Sequence, residues 1–499
     1  MPSLAELVAG MEVQILGDPG VRVLDVAYDS RQVEEGSLFV ALRGARTDGH
    51  LFLSSAVEAG ASALLVEEAP SPTPIGVAVA IVADTRPALA EASAALFGHP
   101  ARAMRLVGVT GTNGKTSTVR MVEAIAQAAG RVAGSLGTIS ARWAGTEEAS
   151  SLTTPQSTDL QRTLARMRDA GVDVAALEVS SHSLAMQRVH TLQFQVAVFT
   201  NLTQDHLDFH ATMDEYADAK AGLFAAPYLR GTAVVHAADP QARRMSEAAR
   251  NAGNAVLTFA RGGECPADLV SANERVTLSG SSFEIAGADG GCEIDLPLPG
   301  DFQIENALAA AGAARALGIE WSAIRDGLDA CPAIPGRFER VSAGDPAVFV
   351  DYAHTPDAID AVLSRIRGLV RGRLICVFGC GGDRDRGKRP LMARAACRHA
   401  DYVVATSDNP RTEDPAGILR DVAEGLSGPH EIIESRRDAI RRAVALAREQ
   451  DVVVIAGKGH EDYQIVGDER RPFDDREEAR LALEGPSAGP AGPAGETGS

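Results

Sequence analysis

Residues Val107–Thr118 read VGVTGTNGKTST. An apolar run at 104–110, MRLVGVT, enters a glycine-rich turn that closes in Gly114-Lys115-Thr116, and helix-forming residues follow. Backbone N–H groups of such a loop, backed by a helix N-terminus, form a socket for phosphate anions. In that socket Lys115 reaches the terminal phosphates and the Thr116 hydroxyl meets Mg²⁺. The candidate nucleotide loop is therefore Gly111, Thr112, Asn113, Gly114, Lys115, Thr116 and Ser117. The usual spacing puts a glycine where Val109 stands here, flanked by Gly108 and Gly111. The plainer alternative is a glycine-rich strand-to-helix turn with a surface lysine. The order strand, loop, Lys-Thr, helix favours a nucleoside triphosphate.

Working outward, the 499-residue length predicts about three domains. The composition, 45% hydrophobic and 23% charged, is ordinary for a globular protein with an aliphatic core. A formal net charge of −19 and no long Lys/Arg cluster argue against nucleic-acid binding. The cysteines are scattered with no C-x-x-C pair, so zinc is not expected and reduced, mostly buried thiols are. The start, MPSLAELVAG, lacks the basic and apolar regions of a signal peptide, and no apolar run is long enough to span a bilayer. A cytoplasmic protein with no membrane insertion is expected.

Residues 1–100 read as a small α/β unit. The strands VRVLDVAY, SLFVAL, ASALLVEE and VAVAIVAD alternate with helical pieces such as Leu53–Ala59 and Pro87–Phe97, and Gly98-His99-Pro100 marks a boundary. Residues 101–336 start with the phosphate loop and continue through the strands VDVAALEVS, FQVAVFTNL and TAVVHA, which predicts a mostly parallel sheet covered by helices. Residues 337–485 repeat the rhythm with AVFVDYAH, RLICVFGCGG, ADYVVATSDNP and DVVVIAGKGH, which predicts a doubly wound, Rossmann-like domain. The Gly/Pro/Ala-rich stretch 486–499 is expected to be a disordered tail.

Polar residues collect where these strands end. Glu178 closes one strand of the central domain, and Asp205-His206-Leu207-Asp208 follows another. A carboxylate, an imidazole and phosphate oxygens suit a hard Mg²⁺ ion that keeps some waters. The alternative is a buried, paired carboxylate and a helix cap. Lys220 lies in the helical YADAKAGLF, where a lone lysine is ordinarily solvated. In the third domain, DYAHTP at 351–356, GCGGDRDRGKRP at 379–390, Asp408-Asn409-Pro410-Arg411 and GKGHE at 457–461 stand at successive strand ends. Arginines and a glutamate there suit a substrate carrying both carboxylates and an ammonium group.

TGTNGKT, TTP at 153–155, EVSSH, TNLTQDHLDFH, the lysine of YADAKAGLF, ENALAA, PGRFE, DYAHTP, GCGGDRDRGKRP, SDNPR and GKGHE occur in this order. Together they resemble the Mur ligases, in particular the type that synthesises UDP-N-acetylmuramoyl-tripeptide. The segment DSRQVEEGSLFVALRGARTDGH at 29–50 is similar to the UDP-binding start of those enzymes. The resemblance covers about residues 20–480, and it accounts for the displaced glycine. It implies a UDP-substrate domain, an ATP domain and a C-terminal domain that brings an amino acid. It also implies an ATP-dependent ligase of peptidoglycan precursor synthesis, working through an acyl phosphate on UDP-MurNAc-L-Ala-D-Glu.

Carried over by position, the resemblance implies that Lys115 and Thr116 contact phosphate and Mg²⁺, and that Glu178 and His206 are Mg²⁺ ligands. Lys220 matches a lysine carbamylated by CO₂, whose carboxylate-like product faces the metal. Asn306, Arg337 and Asp351 match nucleotide contacts. Ser30, Thr153, Thr154, Ser180 and Arg188 match positions that hold the UDP-sugar peptide. His354 belongs to a family motif without an assigned role. Arg389, Asp408, Asn409, Pro410, Arg411, Gly457 and Glu461 match the amino-acid pocket, Glu461 pairing with an ammonium. The DNPR turn is similar to that of enzymes adding meso-diaminopimelate, where Arg411 would pair with the extra carboxylate and repel a bare lysine ammonium. Small-molecule substrates and a monomer are expected.

Two departures stand out: HAADP at 236–240 replaces the family's Asn-x-Asp-Asp-Pro, and Met186 stands where some relatives have glutamine. The rival readings are an L-lysine-adding form, a folylpolyglutamate-synthetase-like ligase and a nucleotide switch. The second should lack the N-terminal domain and the DNPR turn. The third normally carries an Asn-Lys-x-Asp motif, and no Asn-Lys pair occurs in this chain.

Overall fold

The computed structural model describes residues 1–44, 47–206, 209–342 and 344–484. Leu207 and Asp208 of the DHLD run, residue 485 and the 486–499 tail lie outside the described residues. The chain builds three α/β units, each around its own sheet.

The N-terminal sheet runs Gln14–Leu16, Ala78–Ile81, Ala63–Val66, Ser37–Val40, Asp25–Ala27. Its last four strands are parallel, and the first pairs antiparallel with Ala78–Ile81. That first strand, in EVQIL, was not among those read from the sequence. It is only three residues long and too short to display a period.

The central sheet has eleven strands. Arg105–Thr110 lies in its middle, parallel to Val174–Glu178 on one side and Phe194–Phe199 on the other. Parallel pairing continues outward through Leu229–His236 and Ala255–Ala260 to Leu269–Thr277, and on the other side to Ala133–Leu136. Both flanks are antiparallel: Ser140–Trp143 and Thr146–Ala149 at one edge, Gly280–Gly287 and Gly290–Leu296 at the other. These meanders qualify the expectation of a parallel sheet, which describes its middle.

Side chains alternate across a strand, so Val107 and Val109 face one core and Leu106 the other. The helix Lys115–Ala128 buries Val119, Met121, Val122 and Ile125 against the first face, each worth about 2 kcal/mol. The helix Trp321–Asp329 crosses it at Gly327, where a Cβ would come within 2.5 Å of the Ile125 backbone. Alanine at 327 would therefore push two core helices apart.

The C-terminal sheet runs Glu339–Arg340, Ala347–Asp351, Val452–Ala456, Leu374–Cys380, Tyr402–Ser407, His430–Ile432. All pairings but the first are parallel, with apolar cores on both faces. This is the doubly wound pattern, and it reverses direction around Val452–Ala456.

Side chains tie the units together. Tyr28 donates to Asp159 (2.6 Å), Arg162 pairs with Asp25 (2.7 Å), and Ser93 meets Thr158 (2.9 Å), all on the helix Ser157–Asp169. On the other side Arg365 bonds Glu305 (2.8 Å), and the Phe302 and Phe338 rings meet edge to face. Among the described residues no helix is long and apolar enough to cross a membrane.

Candidate active site

The nucleotide loop leaves the middle strand of the central sheet and enters the helix Lys115–Ala128. Gly114 sits at φ +85°. A Cβ on Gly111 would lie 1.9 Å from Thr200 Oγ1, and one on Gly114 would lie 2.3 Å from Asn306 Oδ1. Only glycine permits both approaches. Thr112 and Asn113 donate their N–H groups to Asn201 (2.8 and 2.9 Å), and Thr200 Oγ1 donates to the Asn113 carbonyl (2.6 Å). The loop is thus braced from behind, while the first-turn N–H groups point out of the helix N-terminus.

Lys115 Nζ donates to the carbonyls of Gly111 (2.9 Å) and Thr112 (2.8 Å). Burial lowers its pKa, with Glu178 and Asp205 opposing the shift. Lys220, which the sequence alone would leave in solvent, is 1% exposed. It projects from the helix Met213–Ala221, donates to the same Gly111 carbonyl (2.9 Å), and holds Nζ 4.3 Å from the Tyr216 ring centroid. Burial, reinforced by the charge of Lys115, drives its pKa well below the ordinary lysine value.

Glu178 is 1% exposed and accepts from the Thr138 N–H (2.8 Å) and hydroxyl (3.0 Å). A Cβ on Gly137 would lie 2.1 Å from its Oε1, so that glycine makes room for the carboxylate. Among the described residues its hydrogen-bond partners are neutral donors, and its charge acts on Lys115. His206, at φ +53°, stands 3.5 Å from Asp205, with its ring edge-on to His182 and Tyr216. Among the described residues no three His, Cys, Asp or Glu side chains form a closed metal cage.

Thr153, Thr154, Ser180 and Arg188 gather beside Glu178. The Thr138 and Thr153 hydroxyls meet at 3.0 Å, Thr154 donates to the Glu178 carbonyl (2.8 Å) and its hydroxyl lies 3.3 Å from that of Ser180, and Arg188 donates to the Thr154 carbonyl (2.9 Å). Ser30 opens a short turn of the N-terminal unit, capped by Asp29. Nearby Tyr28 is close enough to feel the Arg188 charge.

Arg337 crosses from the C-terminal side to donate to Thr116 Oγ1 (3.1 Å) and lies 4.5 Å over the Tyr352 ring. Asn306 reaches the loop from the helix Phe302–Ala316. Asp351 uses both carboxylate oxygens on the Phe338 and Ala353 N–H groups, 2.7 and 2.8 Å. It therefore shapes the turn that presents Tyr352 and His354. Asp239, in the departing HAADP segment, caps the Leu202 and Gln241 N–H groups, while His236 stacks on Phe259.

A second cavity, of about 290 Å³, opens at the carboxyl ends of the C-terminal strands. Asp408, Asn409, Arg411, Gly457 and Glu461 line it, with His354 and Tyr352 from the neighbouring turn and Tyr463. Arg384 and Lys388 supply further cations. Pro410 does not line it.

Arg389 corrects the sequence assignment. It is 0% exposed and turned away, its fork bonded to Glu413 (2.7 and 3.0 Å) and Asp421 (2.8 Å). Arg384, in the same GGDRDRGKR run, stands in the cavity instead. Four basic residues are crowded into that run, so the sequence could not say which one faces the ligand. The turn geometry decides it.

Three family models match in sequence order: Mur ligase family catalytic domain over residues 23–107, Mur ligase middle domain over 109–314, and the Mur ligase glutamate ligase domain over 336–459. A curated relative from Gloeobacter violaceus, UDP-N-acetylmuramoyl-L-alanyl-D-glutamate--2,6-diaminopimelate ligase, is 45% identical over 484 residues, covering 96% of this chain and 98% of that one. A solved structure of an enzyme of the same name superposes with a TM-score of 0.69 at 34% identity, covering 97% of this chain and 98% of the other. A Mycobacterium tuberculosis folylpolyglutamate synthase shares the fold over 74% of this chain and 91% of its own, with TM-score 0.61 and 24% identity. Phosphate loop, polar strand ends and family matches agree along the whole length, and the chain belongs to the Mur ligase family.

Proposed function

We propose that the chain is an ATP-dependent ligase that joins meso-2,6-diaminopimelate to UDP-N-acetylmuramoyl-L-alanyl-D-glutamate. The observation that carries this reading is the 290 Å³ cavity, whose lining includes both the cations Arg384, Lys388 and Arg411 and the carboxylates Asp408 and Glu461. Such a wall suits a molecule whose far end carries a carboxylate beside its ammonium, which diaminopimelate has and L-lysine, ending in a bare ammonium, lacks. The curated relatives carry this activity in their names.

The parts divide along the chain. Residues 1–100, with Ser30, together with Thr153, Thr154, Ser180 and Arg188, hold the UDP-sugar dipeptide. Residues 101–336 bind ATP, and 337–485 bring the amino acid. A carboxylate is a poor electrophile at neutral pH, so the glutamyl side-chain carboxylate first attacks the γ-phosphorus of ATP. One O–P bond forms, the bond to the β-phosphate oxygen breaks, and ADP leaves. The substrate amine, having lost its proton, then attacks the acyl carbon. A C–N bond forms, the C–O bond to phosphate breaks, and phosphate departs. Lys115, Arg337 and the helix N-terminus stabilise phosphoryl charge, and the two pockets align the reacting atoms.

The residues fit Mg²⁺, which seldom takes an all-protein cage and keeps waters and phosphate oxygens. Glu178, His206 and the Thr116 hydroxyl would hold it, and when bound it would neutralise charge on the transferring phosphoryl group. Lys220 supports a further part of the reading. A buried amine with a single carbonyl acceptor and a like charge beside it is disposed to lose its proton. Its lone pair then adds to CO₂, an N–C bond forms, and the released proton goes to solvent. The resulting carbamate adds an anionic oxygen ligand. ATP and UDP-linked precursors are intracellular, so the reading places the enzyme in the cytoplasm.

The test is phosphate release with Mg·ATP and UDP-MurNAc-L-Ala-D-Glu, comparing meso-diaminopimelate, L-lysine and no amino acid, with the product weighed by mass spectrometry. Turnover with diaminopimelate alone is expected. Turnover with lysine alone would overturn the selectivity, and none with either would overturn the ligase assignment.

A further inference from the structure

Behind the amino-acid cavity lies Lys458, with 0% exposure. Its ammonium is surrounded: Asp408 Oδ1 at 3.1 Å, Glu461 Oε2 at 3.4 Å, Asn409 Oδ1 at 2.9 Å and the Tyr463 carbonyl at 2.7 Å. Asn409 Nδ2 in turn donates to Glu461 (3.1 Å), and the Ile465 N–H donates to Asn409 Oδ1 (3.0 Å). One lysine thus ties together the turn at 408–411, the turn at 457–461 and the hairpin strand Tyr463–Val466. The chain holds 48 lysines and arginines, of which only Lys115, Lys220, Lys388 and Lys458 are lysines. Arginine serves everywhere else, and at Lys458 the acceptors converge on a single ammonium.

The position has an electrostatic consequence. The cavity wall carries Arg384, Lys388 and Arg411 against Asp408 and Glu461. Lys458 adds a fourth cation directly behind both carboxylates. Diaminopimelate is net neutral, with two carboxylates and two ammonium groups, whereas L-lysine is net positive. A wall with an excess of positive charge favours the first. Without Lys458 at their backs, the two carboxylates would attract a bare ammonium more strongly.

We infer that Lys458 is a specificity-determining positioning residue: it holds Asp408, Asn409 and Glu461 in place and, by offsetting their charge, biases the cavity against L-lysine and toward a zwitterionic side-chain terminus. This rests on the amino-acid assignment under Proposed function.

The test compares kcat/KM for meso-diaminopimelate and L-lysine in the full chain and in two variants. Lys458→Gln removes the charge while retaining a donor for Asn409 and Tyr463. Asn409→Asp keeps the lysine and cancels its charge at the same place, which guards against a first variant that does not fold. In either variant the preference for diaminopimelate over lysine should fall about ten-fold or more, through a higher KM for diaminopimelate and a relative gain for lysine. A merely structural lysine would lower both substrates together, and a preference unchanged in the variants that fold would overturn the inference. If the unaltered chain itself fails to use diaminopimelate, the assignment beneath the inference falls instead, so the two failures are distinguishable.

Discussion

Lys220 and Lys458 are both shut off from solvent near the carboxyl edge of a parallel sheet, at 1% and 0% exposure, yet their neighbours are opposite. Lys220 has a carbonyl, an aromatic face and another lysine, with only the more distant charge of Asp205 opposing them among the described residues. Lys458 has two carboxylates and two further oxygens. The first environment destabilises an ammonium, and the second embeds it in an ion-paired network. Burial alone therefore does not say what a lysine is for. On the proposed reading it prepares a nucleophile for CO₂ in the central unit, and on the inference drawn above it sets the charge of a wall in the C-terminal unit.

The largest expected effect separates the two directly. Lys220→Ala should lower kcat about a thousand-fold or more, since it removes the proposed carbamate from the phosphoryl-transfer site. Formate or acetate, which replaces the missing carboxylate, should restore part of the activity. Full activity in that variant without additive would remove the carbamate from the mechanism and make Lys220 an ordinary buried lysine.

Arg411→Ala should cost about a hundred-fold in kcat/KM for diaminopimelate and raise that for L-lysine, because the proposed carboxylate contact and the repulsion of a bare ammonium are lost together. Equal losses for both amino acids would place Arg411 outside the selectivity wall.

Much of this was legible in the chain, but unevenly. Strands such as LICVFGC and VVVIA are buried on both faces, so they stand out as apolar runs, and the turns after them carry the site residues. The phosphate loop is legible because Gly111 and Gly114 meet steric demands that only glycine satisfies. The edge strand Thr146–Ala149 and the strand Leu269–Thr277, where parallel pairing gives way to antiparallel, were not legible: the first is wholly exposed and the second mixes buried, half-buried and exposed positions. Lys220 carried no local signal, because its burial comes from the loop packed over its helix. The exchange of Arg389 for Arg384 is of the same kind. Both belong to one basic run, and only the carboxylates of Glu413 and Asp421, brought in from the next helix and its entry, decide which is consumed in structure.

That exchange gives the next test. Arg389→Ala leaves Glu413 without its cation and Asp421 with Arg386 alone, and should lower stability by about 2–3 kcal/mol, read as a lower denaturation midpoint, with little change in KM for diaminopimelate once folded. Arg384→Ala should do the reverse, raising KM and leaving the midpoint nearly unchanged. If Arg389→Ala instead raised KM at unchanged stability, the sequence-based assignment would be restored.

The smallest expected effect lies where the two regions meet. Gly336 closes onto the backbone of Gly459 and His460, where a Cβ would lie 2.1 Å away. His460, two residues from Lys458, packs on Tyr352 with ring centroids 5.1 Å apart. Burial, aided by the charges of Arg337 and Arg476, pushes its pKa down to about 3. In the unfolded chain it protonates near the ordinary histidine value of about 6.5. Between those values the unfolded state binds the extra proton, so stability falls as the pH drops through 6.5 toward 3. Moving from pH 7 to pH 5 should cost about 2 kcal/mol from this residue alone. His460→Gln cannot take up that proton, so its denaturation midpoint should fall less over the same range than that of the unaltered chain. Carboxylates common to both proteins cancel in the difference. Parallel pH profiles would mean that His460 protonates freely in the fold, and that the junction between the lysine regions is open to water rather than sealed by Gly336.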